Sequence, residues 1–375
     1  MSQKARLIIA CPETCADVYW ATCFSAPDPV IFIEQRGKKS LLMSDLEYGR
    51  AKKEAEVDEV ISTSSYSRKL KSQGKKEVSE IEILTTVLHE RKITSLEVPS
   101  YFPIRLARLL EEKGFTVDAI PDPFYPERQI KSEGEKKKIV NSIRATEEAI
   151  RFAIQTIRGT RIRGNKLLWN GAPLTSEKLR HLMELKMMER GYLGQKTIVA
   201  CGKQAADPHC IGFGPLQPYQ TIVLDVFPKS LESGYHGDVT RTVFKGTPSS
   251  KVISMYEAVR KAQAKGFSLV RSGVDARDVH AAVAKTMEEQ GFKTDFKNGR
   301  PEGFIHTTGH GLGLDIHEPP RIGPRSTLLK KGQVVTVEPG LYYEKLGGVR
   351  IEDDVYVTHK GCEILSILPR DLQIL

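Results

Sequence analysis

The sequence predicts an α+β chain in two parts: a small α/β domain over residues 1–125 and a larger domain over 126–375 built on a pseudo-symmetric sheet with outer helices. Three observations carry this expectation. The length, 375 residues, exceeds one ordinary domain of roughly 150 residues. Short apolar strands alternate with helical stretches only as far as Pro121, Pro123 and Pro126, which crowd into six residues and mark a stiff linker. Beyond it, a helix–helix–strand–strand order occurs twice, with two carboxylates on each strand pair.

The elements follow in order. Val30–Glu34 and Ser40–Met43 flank Arg36-Gly37-Lys38, a hairpin with glycine in its turn. Leu46–Glu56 reads as a helix, Glu59–Ile61 as a strand and Val78–Arg91 as a helix. Ser95–Val98, the helix Ile104–Lys113 and the strand Phe115–Ile120 continue the alternation. Ser132 followed by Glu135 is a capping-box signature. The helix it starts carries Ile139, Ile143, Ile150, Ile154 and Ile157 on one stripe, a period near 3.6 that buries one face. Lys136–Lys138, on its first turn, read as a solvated face. Helices at 133–158 and 176–190 precede strands Thr221–Phe227 and Asp238–Lys245. Helices at about 250–271 and 276–290 precede strands Val334–Glu338 and Val349–Val357. The halves share order, not clear sequence identity.

Composition excludes several classes. With 40% hydrophobic and 27% charged residues, the chain is globular rather than disordered or low-complexity. Pro208–Leu224, the longest notable charge-free stretch, holds three prolines and cannot span a bilayer. Leu7–Cys11 is too short for a signal-peptide core. The six scattered cysteines form no CxxC pair and read as free thiols of a reducing cytoplasm. No membrane partner is expected, and a cytoplasmic location is. The formal charge of +9 invites a nucleic-acid partner, but helix-turn-helix, RNA-recognition and zinc-finger signatures are absent and the basic residues are dispersed. The charge is uneven: residues 1–130 sum to −1 and residues 131–375 to +10. No GxSxG is present, and no cysteine lies in a motif that pairs it with histidine.

The chemistry concentrates in the second part. Asp225 interrupts an apolar strand in which Ile222 and Leu224 alternate with Val223 and Phe227. Asp238, Thr240 and Thr242 share one strand face, and Glu338 shares a face with Thr336. Arg350 and Glu352 are two apart and point the same way. His310 lies between Gly309 and Gly311, which allow close backbone approach. Four carboxylates in apolar strands cannot all ionise in one dry site unless something neutralises them. A pair of divalent cations balances them and one imidazole completes the shells, a donor set suited to Mn, Co or Zn. Separate salt-bridge roles account for any one acid alone, but poorly for the set.

These residues lie in motifs. Ile305-His306-Thr307-Thr308-Gly309-His310-Gly311-Leu312-Gly313, Ile316-His317-Glu318-Pro319-Pro320, Val337-Glu338-Pro339-Gly340 and Arg350-Ile351-Glu352-Asp353 resemble the pita-bread metallopeptidases, as do Leu224-Asp225, Gly234-Tyr235 and Asp238-Val239-Thr240-Arg241-Thr242. The prolidase and aminopeptidase P branch is the most similar. The resemblance spans the whole second part, and the first resembles that branch's creatinase-like N-terminal domain. It implies a pita-bread fold with a pseudo-twofold antiparallel sheet. It further implies two metal ions, manganese favoured, on Asp225, Asp238, His310, Glu338 and Glu352, with Asp238 and Glu352 bridging. A hydroxide shared by the metals is then the nucleophile and Glu338 the proton shuttle. His317 and His209, the latter in Asp207-Pro208-His209, match histidines that hold the scissile carbonyl. His306 and Arg350 match residues lining the substrate pocket, Arg350 being suited to a carboxylate or to fixing a ligand acid. The implied substrates are Xaa-Pro dipeptides or short proline-containing peptides, and the implied assembly is a homodimer.

The chain departs from that pattern in one place. Asp238 follows Asp225 by thirteen positions, two more than usual, and Val226-Phe227-Pro228 replaces a small residue and glycine. An insertion of two keeps strand parity, so it bears on substrate preference more than on metal binding. The compact N-terminal domain and the fourteen-residue gap from Glu338 to Glu352 lean toward the prolidase form. His236 is expected to face solvent from the hairpin, Asp353 and Asp354 to join hydrogen-bond networks, and Cys201 and Cys210 to be small buried thiols. Two other readings are a creatinase-like metal-free hydrolase and a non-catalytic pseudopeptidase acting as a binding module. The intact ligand set argues against both.

Overall fold

The computed structural model describes residues 4–297 and 299–375. The chain divides into two compact units, Met1–Arg128 and Gln129–Leu375.

The first unit is a six-stranded sheet in the order β4-β3-β2-β1-β5-β6. Its strands are β1 (Lys4–Ala10), β2 (Val30–Gln35), β3 (Lys38–Met43), β4 (Glu59–Ser62), β5 (Ser95–Pro99) and β6 (Thr116–Ile120). β1, β2 and β3 run antiparallel, and the outer pairs β3/β4, β1/β5 and β5/β6 run parallel. Alternation along the central strands feeds two cores, because successive side chains point to opposite faces. Leu7 and Ile33 join one core with Leu84, Leu88 and Leu96. Ile8 and Phe32 join the other with Val18 and Phe24. Five helices, α1 (Ala16–Thr22), α2 (Asp45–Glu54), α3 (Thr63–Ser72), α4 (Glu80–Glu90) and α5 (Ile104–Glu112), complete the unit. The apolar run at Leu7 is thus a central strand. Arg36 and Gly37 both take positive φ, 54° and 76°, the combination a two-residue hairpin needs to match strand twist.

The proline segment differs from expectation. Phe124 and Tyr125 are buried in the second of these cores, and Pro126–Gln129 form a 3-10 turn. Two aromatic side chains bury too much apolar surface to be left on a free extended linker.

In the second unit, helices α6 (Glu133–Arg158) and α7 (Ser176–Met188) precede β7 (Ile198–Cys201), β8 (Ile222–Val226) and β9 (Val239–Phe244). Helices α8 (Ser250–Leu269) and α9 (Ala276–Glu289) precede β10 (Gly309–Gly311), β11 (Glu318–Ile322) and β12 (Val334–Val337). After these come β13 (Gly340–Tyr343), β14 (Gly347–Arg350), β15 (Asp353–Val357), β16 (Cys362–Ile364) and β17 (Gln373–Ile374). One sheet has the order β7-β8-β9-β17, the other β11-β10-β12-β15-β16. Every pairing in them is antiparallel except β9/β17.

Each of the four helices is capped by the residue before it. Ser132, Thr175, Ser249 and Asp275 accept a backbone N–H from the first turn, satisfying donors that a helix start leaves orphaned. The isoleucine stripe of α6 is buried along its whole length. The expected strand Val349–Val357 is instead two strands in different sheets: β14 pairs with β13, and β15 with β12. Ile351 and Glu352 occupy the break.

Candidate metal centre and its cavity

Asp225 sits in β8, one residue from its end, with Thr240 of β9 as its cross-strand partner. Asp238 immediately precedes β9. Its approach is held by close packing, since a Cβ on Gly237 would lie 2.5 Å from the Ile143 backbone nitrogen. His310 is central in β10, where a Cβ on Gly309 would lie 1.9 Å from the Thr336 carbonyl oxygen. Only glycine permits that approach. Glu338 follows β12, and Glu352 sits in the break between β14 and β15.

All nine residues singled out in the sequence line one cavity of about 530 Å³: Asp225, Asp238, His310, Glu338, Glu352, His209, His306, His317 and Arg350. Ligand atoms of Asp238, His310 and Glu352 lie within 4.8 Å of one another, all three side chains buried. His310 Nε2 is 3.3 Å from Glu338 Oε1 and 3.7 Å from Asp238 Oδ2. Its Nδ1 is 3.1 Å from the Gly311 carbonyl oxygen, so Nδ1 carries the proton and the Nε2 lone pair faces the acids. Asp225 is held differently: Arg350 Nη2 donates to its Oδ2 at 2.6 Å.

The electrostatics of this cluster call for a cation. Burial, then Glu352 and Asp225, push the Asp238 carboxyl well above its ordinary range. Burial and Glu338 do the same to Glu352. Burial, reinforced by Asp225 and opposed by Arg350, raises Glu338 to about 7. The nearby imidazoles do not supply the missing charge, because burial lowers His310 and His306 to about 3. Crowded oxygen donors that repel one another, beside a neutral imidazole nitrogen, are the donor set a divalent metal fits.

The surrounding groups orient these donors. Thr240 Oγ1 donates to Glu352 Oε2 at 2.6 Å, and Thr336 Oγ1 to Glu338 Oε1 at 3.3 Å. The Asp238 backbone N–H donates to Asp354 Oδ2 at 3.0 Å. Arg241, fully buried, donates to the Glu352 carbonyl at 2.6 Å and to Asp353 Oδ1 at 2.7 Å. His317 stands edge-on to His310, ring centres 4.3 Å apart, and His209 is exposed at the cavity wall. His306 Nε2 is 3.0 Å from the Tyr342 hydroxyl. Arg350 Nη1 donates to the same hydroxyl at 2.7 Å.

Sequence reasoning missed Tyr342 and Arg321. Tyr342 lies in β13, beyond the break after β12, and joins the site through the contacts of its hydroxyl with His306 and Arg350, which no spacing reveals. Arg321 lines the cavity as the cross-strand partner of His310, a register no spacing reveals. His236 corrects an expectation: its Nδ1 is shut away from solvent without a hydrogen-bond partner, because the hairpin folds back and the His236 N–H donates to the Gly313 carbonyl at 2.9 Å. Burial lowers its pKa to about 4. Cys201 is buried and Cys210 half-buried. No helix among the described residues is long and apolar enough to cross a membrane.

Residues 137–359, more than half of the chain, match metallopeptidase family M24. The Xaa-Pro dipeptidase of Pyrococcus furiosus is 34% identical over 248 residues, which cover 65% of this chain and 65% of that protein, just under two thirds of its length. The Xaa-Pro dipeptidase of Pyrococcus horikoshii is 31% identical, over 75% of each chain. Among solved structures, an X-Pro aminopeptidase from Thermotoga maritima superposes with a TM-score of 0.82 at 27% identity, covering 99% of this chain and 97% of that one. The prolidase from Pyrococcus furiosus superposes with a TM-score of 0.79 at 26% identity, over 97% and 96%. The expected pita-bread α+β architecture is the one observed.

Proposed function

The chain belongs to metallopeptidase family M24 and so is a hydrolase; on that premise we propose that it is a dinuclear-metal exopeptidase cleaving the bond between an N-terminal residue and proline. The substrates in this reading are Xaa-Pro dipeptides and short proline-containing peptides, as the names of its relatives suggest. The observation that carries it is the convergence of four acids, four histidines and Arg350 on one cavity.

Asp225, Asp238, His310, Glu338 and Glu352 are the residues that would hold two divalent ions. Manganese is the first choice, and cobalt or zinc satisfies the same donors. Ions bound there supply Lewis acidity and bring the pKa of a bound water toward neutrality.

Glu338, beside His310 Nε2 and the Thr336 hydroxyl, is placed to carry a proton. It takes the proton of the attacking water and delivers it to the proline nitrogen as the C–N bond breaks. His317 and His209, on the cavity wall, donate ring N–H groups to the carbonyl oxygen as negative charge develops there. Arg350 already commits Nη2 to Asp225 and Nη1 to Tyr342, so it acts by fixing that acid. Arg321, also on the wall, is the better partner for a substrate carboxylate. His306, paired with Tyr342, completes the pocket. The first unit is read as the creatinase-like N-terminal domain ending near residue 125, and the working form as a cytoplasmic homodimer.

The test is hydrolysis of an Xaa-Pro dipeptide and tripeptide panel by protein reconstituted with Mn, Co or Zn. Glu338→Gln serves as the blank, expected to lose about 10²- to 10⁴-fold in kcat. Absence of Xaa-Pro cleavage with every metal sinks the proposal. A second reading, cleavage of longer peptides, draws on the likeness to the X-Pro aminopeptidase structure; turnover of tripeptides alone would favour it over the dipeptidase.

A further inference from the structure

A buried ion pair lies behind the loop that joins His310 to His317. Lys131 and Glu318 are 5% and 6% exposed, and the Lys131 ammonium is paired with the Glu318 carboxylate. Lys131 stands just before the Ser132 cap of α6, and its backbone N–H donates to the Gly332 carbonyl at 2.7 Å. Glu318 opens β11 directly after His317, and its partner across the strand pair is Gly311, next to His310. The register of this pair shifts between His310 and Gly311.

We propose that Lys131 and Glu318 are positioning residues that aim His317 into the cavity. Glu318 is the first residue of β11 and directly follows His317, so holding its side chain against Lys131 fixes the end of the loop from which the His317 ring reaches the cavity beside His310. The Glu318 carboxylate also closes the neck of the loop: a Cβ on Gly313 would lie 2.8 Å from both of its oxygens. The Gly313 carbonyl in turn accepts the His236 N–H at 2.9 Å, which ties the loop to the hairpin that ends at Asp238. Nothing about the pair places it in contact with substrate. Glu318 does not line the cavity, and its partner lysine is anchored at the start of a different element. An ion pair at this depth is costly to desolvate, and well-packed neutral residues often replace such pairs without loss of stability. A requirement for alignment explains its presence better than stability does.

The inference rests on His317 contacting the scissile carbonyl, and the experiment separates the two claims. Steady-state kinetics on an Xaa-Pro dipeptide are measured for metal-loaded wild type, Glu318→Gln, His317→Ala and the double variant. Lys131→Met combined with Glu318→Gln removes both charges and guards against unfolding from one unpaired buried ion. Thermal melting and calorimetric metal titration accompany each variant. Glu318→Gln, alone or with Lys131→Met, is expected to lower kcat on the order of tenfold to a hundredfold, with metal stoichiometry unchanged. In the His317→Ala background it is expected to cost nothing more. Losses that add in full overturn the positioning role alone, as does an unchanged kcat in the neutral pair. A His317→Ala enzyme with wild-type kcat overturns the histidine's role and the inference with it.

Discussion

The two halves of the second unit contribute to one site by different means. In the first half Asp225 lies within β8, and Asp238 stands immediately before β9, at the border of an unbroken antiparallel pair. The second half offers its groups from interruptions. His310 adjoins a register shift, Glu338 follows the end of β12, and Glu352 fills the gap between β14 and β15. A regular strand fixes which face a side chain takes, whereas a break frees the backbone to bring a carboxylate to a point no pleat would reach.

Arg241 is where the halves are joined. It belongs to β9, yet it donates to the carbonyls of Glu352, Leu368 and Pro369 and to the Asp353 carboxylate. Arg241→Met removes these bonds and leaves buried acceptors unpaired. The expected cost is about 3–5 kcal/mol of stability, read from urea unfolding. A loss below about 1 kcal/mol would mean that the break at Glu352 holds its shape unaided.

The metals should couple the halves further, and pH sets by how much. Glu338 binds its proton more tightly when folded, with a pKa of about 7, than an unfolded glutamate does near 4.5. Its contribution to stability is therefore full below that unfolded value and lost as pH rises through about 7. Asp238 and Glu352 are raised in the same direction. His306 and His310, lowered to about 3, act oppositely, losing stability as pH falls below the unfolded histidine range. Chelated protein thus carries an acid cluster that charging destabilises, and cation binding relieves it. With Mn²⁺ at about 100 times its dissociation constant at pH 8, the gain is about 2.7 kcal/mol. At pH 5 the same Mn²⁺ concentration should yield less, because the cation must displace protons. Equal melting-temperature shifts at the two pH values would show that the empty site is already ionised.

This contrast also explains what the sequence disclosed. Asp225 stood out because period-two alternation makes an acid in an apolar strand conspicuous, and the α6 stripe and the Ser132 cap were equally plain. The break at Ile351-Glu352 was hidden, since Val349–Val357 reads as one strand when pairing partners are unknown and two different sheets claim its ends. Glu338 and Glu352 were singled out by shared strand faces and by their motifs, although both lie just outside the strands. Lys131, Arg321 and Tyr342 act through register and long-range contact, and neither leaves a local trace. The Pro121–Pro126 segment misled because its prolines are local signals, while the burial of Phe124 and Tyr125 is decided by the core they meet.

The smallest expected effect compares the two helix starts that open the halves. Ser132 and Ser249 both cap through a side-chain oxygen, at 3.3 Å to the Glu135 N–H and 3.4 Å to the Val252 N–H. An N-cap serine replaced by alanine costs about 1 kcal/mol, so simple equivalence predicts equal losses. The surroundings are unequal. Glu135 returns a bond to the Ser132 backbone N–H at 2.8 Å and accepts the Tyr235 hydroxyl at 2.7 Å. The first cap is therefore linked to the hairpin leading into Asp238, whereas the side chain of Ser249 serves only Val252 among the described residues. Ser132→Ala should cost more than Ser249→Ala, by a few tenths to about 1 kcal/mol, in paired denaturant titrations. It should also weaken metal binding slightly, as Ser249→Ala should not. Identical losses, with metal affinity untouched in both, would reduce the capping box at α6 to ordinary helix chemistry and leave the first half's aspartate hairpin to its packing against Ile143 and its bonds to Gly313 and Asp354.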